Sequence, residues 1–185
     1  MTHVRRLDSV TLAAGLLLIA AGCSGGSGDT PLVDAAGPVA KLFINELQPS
    51  NQDTVTDEYG EADDWIELIN AGDSPVDLLG YSLADSSGTT QVISKSVVVA
   101  AGAFHLMWAD DSPSQGPSHL GFKLSGKKGD SVTLKDATGR TLDSVSFGPT
   151  TGQDTYARFP DATGPFAWCG APTPGAANGA GCLSP

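Results

Sequence analysis

The sequence predicts an all-β fold, an antiparallel β-sandwich, and three observations predict it. Short, mostly apolar runs that suit strands recur from Leu42 to Phe147. The 23 glycines and 12 prolines are spread among them, so turns recur about every ten residues. No window carries the sustained apolar spacing, framed by caps, that an amphipathic helix needs. Roughly seven or more short strands at this spacing bury their apolar faces by stacking two sheets.

The strands follow in order. Leu42-Phe43-Ile44-Asn45-Glu46-Leu47 is the first, closed by Pro49, which has no N–H to give a ladder. Trp65 to Asn70 is the second, ended by Gly72 and Pro75. Tyr81 to Ala84 follows Gly80, and Val97-Val98-Val99 and Ala103 to Trp108 come next. Ser131 to Lys135 and Thr141 to Phe147 alternate apolar with polar residues. They flank Asp136-Ala137-Thr138-Gly139, a turn-forming sequence, and read as a hairpin. Within the second strand, period-two alternation sends Trp65, Glu67 and Ile69 to one face and Ile66 and Leu68 to the other. Trp65 and Tyr81 are expected in the core, their polar atoms reaching backbone partners. Asn70, Gly72 and Gly80 are expected as turn residues at positive φ, and Asp77 as an acceptor for neighbouring amides.

Ahead of the strands lies a leader. Arg5 and Arg6 form a basic region, and Val10 to Ala21 is an apolar run of signal-peptide length, too short to span a bilayer as a helix. It ends in Ala20-Ala21-Gly22-Cys23, which resembles the bacterial lipobox and makes Cys23 the expected lipidated first residue. The expected organisation is a lipoprotein signal peptide over 1–22, a flexible Gly/Ser/Ala tether over 23–37, the sandwich over 38–178 and a tail over 179–185. Ser24 stands where an aspartate commonly marks inner-membrane retention, which favours an exported protein anchored at the outer membrane or cell surface.

Charge narrows the partners. With 21 acidic and 10 basic residues the chain carries a formal charge of −11. Such a surface repels phosphates and anionic headgroups, so no nucleic-acid partner is expected and membrane attachment falls to the lipid on Cys23. The three cysteines fit the same scheme. Once Cys23 carries lipid, Cys169 and Cys182 remain as a pair, and a bridge across so short a loop stabilises by roughly 3 kcal/mol. The rival use, two ligands of a zinc site, needs further Cys or well-spaced His nearby.

Several segments together resemble the lamin-tail domain family in its bacterial form. They are Ile44 to Leu47, Asp64 to Asn70, Val76 to Asp85, Asp130 to Leu134, Asp143 to Val145 and the string Pro172-Thr173-Pro174-Gly175-Ala176-Ala177-Asn178. The resemblance spans residues 38 to 178. It implies an immunoglobulin-like β-sandwich and a binding or scaffolding module on exported or surface proteins.

Candidate sites have competing readings. Asp53, Asp57, Glu58, Glu61, Asp63, Asp64 and Glu67 make an acidic stretch without Lys or Arg, of which the first six can supply oxygen ligands to calcium or simply sit in water. Its spacing is not that of an EF-hand. Asp110 and Asp111 form a second acidic turn. His105 sits in a strand and His119 in a Gly/Pro/Ser loop, and no Gly-x-Ser-x-Gly elbow marks a nucleophile. Trp108, Phe122, Tyr156, Phe159, Phe166 and Trp168 either stack on sugars or a protein partner from a sandwich edge, or cap the sandwich ends under the Cys169–Cys182 loop. The expected function is non-catalytic binding or scaffolding at the cell envelope, toward an envelope protein or polysaccharide, with no cofactor beyond calcium. The alternative is a calcium-dependent or carbohydrate-contacting enzyme module.

Overall fold

Strand-forming runs separated by hydrogen-bonded turns give an all-β chain in the computed structural model, which describes residues 40–150, 152–179 and 182. The strands are β1 (Leu42–Gln48), β2 (Asp64–Asn70), β3 (Val76–Asp77), β4 (Ser82–Ala84), β5 (Thr90–Val92) and β6 (Val98–Val99), followed by β7 (Phe104–Ala109), β8 (His119–Leu120), β9 (Asp130–Lys135), β10 (Thr141–Phe147), β11 (Thr155–Arg158) and β12 (Phe166–Cys169). A six-stranded sheet runs β12-β11-β1-β2-β7-β8, a four-stranded sheet runs β10-β9-β4-β5, and β3 pairs with β6. Pairing is antiparallel except that β8 runs parallel to β7, because the chain from Asp110 to Ser118 doubles back before joining the edge.

The predicted sandwich is therefore present, with β3, β5, β8, β11 and β12 beyond the expected strands. The core lies between the two larger sheets. Leu42, Ile44, Leu47, Ile66, Leu68 and Met107 from one meet Leu83, Val132, Leu134, Val145 and Phe147 from the other. The predicted hairpin forms: Gly139 N–H donates to Asp136 O, Asp136 N–H to Arg140 O, and Gly139 has φ 84°. The Asp136 carboxylate accepts from Thr138 and Arg140, and these bonds, the Thr138 hydroxyl's foremost, bring its pKa down to about 2.

One feature of β1 positions everything that follows. Ile44 pairs with Leu68 but Glu46 pairs with Glu67, so Asn45 is an extra residue in the strand. Such a bulge breaks the period-two alternation. Leu42, Ile44 and Leu47 join the core, whereas Asn45, Glu46 and Gln48 are fully buried away from it. The six-stranded sheet is consequently covered on both faces, and β2 is buried from Trp65 through Asn70. Trp65 is fully buried on the second face, its Nε1–H donating to Gln48 Oε1 at 2.8 Å.

Two turn expectations need correction. Asn70 ends β2 in strand geometry; its side-chain amide donates to Ser74, Val99 and Ala100 carbonyls and its Oδ1 accepts from Gly72 N–H. Its role is to staple the adjoining loops, and an amide is needed because it both donates and accepts. Gly72 is not at positive φ; a Cβ there would lie 3.0 Å from Asn70 Oδ1, so close approach selects the glycine. Gly80 does have φ 82°, and Asp77 accepts from Leu79 and Val97 N–H and from the Ser96 hydroxyl. Tyr81 is half-buried against the core rather than within it. The expected signal peptide, the lipidated Cys23 and the tether lie outside the described residues.

Candidate functional site

Two polar constellations stand out. The first occupies the second face of the six-stranded sheet. Glu46 and Glu67 are cross-strand neighbours, both fully buried. The segment Pro172 to Asn178 lies over them as a strap. Thr173 donates its N–H to Glu46 Oε1 at 3.1 Å and its hydroxyl to Oε2 at 2.9 Å, and Gly175 N–H donates to Glu67 Oε2 at 2.6 Å. Asn178 donates to the Asn45 and Arg158 carbonyls, and Asn45 donates to Glu67 and to Asp161. Burial raises the pKa of Glu67 to about 8, against hydrogen bonds from Asn45 and Gly175 that oppose it. Burial likewise raises Glu46. Arg158 ties this face to the second sheet by donating from Nη2 to both Asp143 oxygens, at 2.9 and 3.0 Å, and from Nε to Ile44 O.

The second constellation is the acidic loop from Pro49 to Asp63. Asn51 organises it by donating to Val55 O and Asp63 O. Asp57 is buried, and its Oδ1 accepts from Tyr59 and Glu61 N–H, each at 2.8 Å, which closes a tight turn. One carboxylate oxygen from each of Asp57, Glu61 and Asp63 lies within 4.8 Å of the others; Asp57, Glu58 and His119 meet the same limit. Of the six candidates for calcium, the fold thus gathers Asp57, Glu61 and Asp63 in one group and sets Glu58 in another, with Asp57 and His119. Asp53 is exposed and Asp64 begins β2, both outside these groups. Burial raises the pKa of Asp64 to about 6 and also raises that of Asp63.

His119 belongs to this end of the molecule although its loop-like sequence gave no sign of it. On β8 it is buried, with Nδ1 against Asp110 Oδ2 and Nε2 3.2 Å from Glu58 Oε1. The Tyr59 ring meets it edge-on at 5.9 Å. Burial works to lower the His119 pKa, and the two carboxylates outweigh it and hold it above 6.5. Only the pairing of β8 with β7 brings Asp110 and His119 together, and no spacing in the sequence encodes that. His105, on β7, meets Ser118 Oγ at 2.9 Å, and burial lowers its pKa.

The aromatic residues pack inward. Trp108 and Phe122 are buried, and Tyr156 stacks on Phe166 at 5.3 Å while touching Trp168 and Phe147 along the core. Phe159 packs beside the disulfide that joins Cys169 to Cys182, whose Cα atoms are 4.5 Å apart. Of the six aromatics expected at an edge or a cap, only Phe159 packs beside the bridge; Tyr156, Phe166 and Trp168, on β11 and β12 at the edge of the six-stranded sheet, are half-buried against the core.

The model of the family described as Lamin Tail Domain matches residues 35–149. The match takes in β1 through β10 and stops before β11, β12 and the strap. No curated protein matches the chain.

Proposed function

Since the chain belongs to the lamin-tail domain family and has its immunoglobulin-like fold, we propose that it is a non-catalytic binding or scaffolding module, displayed at the bacterial cell envelope by a lipid on Cys23. The observation that carries the non-catalytic part is the state of Glu46 and Glu67. They are a buried cross-strand carboxyl pair with raised pKa values, yet two strap N–H groups and the Thr173 hydroxyl occupy their oxygens and the strap covers them. Acid–base catalysis needs a group within reach of substrate. Here those groups fasten the last segment of the chain to the sheet.

Display rests on the leader, where the basic Arg5-Arg6 pair, the apolar run and Ala20-Ala21-Gly22-Cys23 stand in the order that export and acylation require. A sandwich raised on a short Gly/Ser tether suits docking to an envelope protein or polysaccharide. The test is expression in a bacterial host with metabolic fatty-acid labelling of the wild type and of Cys23→Ser. Label on Cys23, with the variant released from the membrane fraction, supports the proposal; a mature N-terminus elsewhere refutes the anchor. Incubation of the protein with envelope polymers tests the other half, and a released product would refute the non-catalytic role.

A further inference from the structure

Among the described residues, two buried side-chain oxygens lack a hydrogen-bond partner, Asp57 Oδ2 and Gln115 Oε1, and both sit at one end of the sandwich. Asp57 is only 8% exposed. Its Oδ1 accepts from the Tyr59 and Glu61 amides, while the buried Oδ2 has no donor. Gln115 donates its Nε2–H to Glu61 Oε2 at 2.8 Å, so its own oxygen hangs beside the same carboxylate. A carboxylate or amide oxygen withdrawn from water and left without a donor is costly, and native proteins rarely tolerate one unless an ion or water meets it.

The surroundings call for positive charge. Asp57, Glu61 and Asp63 bring oxygens within 4.8 Å of one another. Lys123 Nζ lies 3.9 Å from Asp63 Oδ1, but its side chain is 62% exposed, where water screens its charge. His119, the other basic side chain at hand, already faces Asp110 and Glu58 with its two nitrogens.

We propose that Asp57, Glu61 and Asp63 bind a calcium ion, with the amide oxygen of Gln115 as a neutral fourth ligand. Calcium takes oxygen ligands at about 2.3–2.6 Å, so any two oxygens on one ion stand at most about 5 Å apart, a condition that oxygens within 4.8 Å of one another meet. Magnesium demands a tighter octahedron and holds its water more firmly. Zinc or manganese would favour the neighbouring group of Asp57, Glu58 and His119, where both imidazole nitrogens are engaged with carboxylates. The ion would join the turn before β2 to the loop before β8 through Gln115, two segments that Tyr59 Oη to Gln115 O already links at 3.0 Å. One end of a binding module would thus be ordered by calcium.

The test uses the full chain in metal-free buffer, titrated with calcium chloride by calorimetry and followed by thermal melting. Saturable binding with a Kd of about 10⁻⁴–10⁻³ M and a higher melting temperature are expected. Asp57→Asn and Glu61→Gln each weaken binding by about tenfold or more, since ligand charge sets calcium affinity. Glu61 is exposed, so Glu61→Gln keeps the native circular dichroism and decides the matter even where Asp57→Asn unfolds. No saturable binding up to about 10 mM calcium overturns the site. So does binding unchanged in Glu61→Gln, or a preference for zinc or manganese abolished by Glu58→Gln.

Discussion

Glu67 should make this protein more stable in mild acid than at neutral pH. Its carboxyl is fully buried in the six-stranded sheet, and burial is the main cause that raises its pKa from 4.5 to about 8. Between those values the folded chain holds a proton that the unfolded chain has released, so the free energy of unfolding falls as pH rises. The stabilisation is fully present below about pH 4.5 and is lost on passing about pH 8. An interval of about three and a half pH units, at about 1.4 kcal/mol each, sets a ceiling of about 5 kcal/mol. Relaxation of the strap and entry of water reduce this to a working figure of about 2–4 kcal/mol. Glu46, directly across the ladder, moves in the same direction and adds to the slope. Asp64 and His119, both raised, add to the slope inside this window, His105, lowered, opposes it, and the lowered Asp77 and Asp136 act below it, so the difference between wild type and Glu67→Gln isolates Glu67. The assay is urea denaturation from about pH 5 to about pH 8, on wild type and on Glu67→Gln. Wild type should lose about 2–4 kcal/mol across the range, and the uncharged variant less than half of that. A wild-type stability that is flat or rises with pH refutes the buried protonated carboxyl. An equal slope in the variant places the proton on another group.

Three further outcomes are expected. Trp65→Ala should cost about 3–5 kcal/mol in chemical denaturation, because it empties a fully buried site and strands Gln48 Oε1; a loss under about 1 kcal/mol refutes that packing. Reducing the Cys169–Cys182 bridge should lower stability by roughly 3 kcal/mol, read as a drop in Tm, and an unchanged melt argues against the pairing. Gly129→Ala should cost about 1–3 kcal/mol, because φ is 79° there and a Cβ would collide with the Phe147 carbonyl oxygen; a neutral result in the same melt contradicts the turn geometry.

The fold was readable wherever a strand carried its own apolar pattern. β1, β2, β7, β9 and β10 are each six or seven residues long and rich in Ile, Leu, Val or aromatic residues, and all five were anticipated. β5, β8, β11 and β12 span two to four residues each, and their strand character comes from the neighbour they pair with. Local propensity carries little information over such lengths. The alternation rule put Ile66 and Leu68 on one face of β2 and Trp65 and Glu67 on the other, as observed; what it could not show is that the Asn45 bulge and the strap cover the second face as well. The acidic stretch was visible as composition, and three of its six calcium candidates, Asp57, Glu61 and Asp63, converge, while Glu58 meets His119. What composition could not show was that Gln115, from a loop some fifty residues on, brings an unpaired oxygen to the same place.

The position of β1 between β2 and β11 bears on how new copies of this protein mature. A polypeptide emerging N-terminus first offers β1 and β2 early, yet one flank of β1 stays bare until Thr155–Arg158 arrives near the other terminus. An uncovered flank is an invitation to wrong pairing between molecules, and closure over so long a stretch is slow. Damage to the last few dozen residues therefore strikes the centre of the larger sheet, and a nick there should be felt as misassembly rather than as a trimmed periphery.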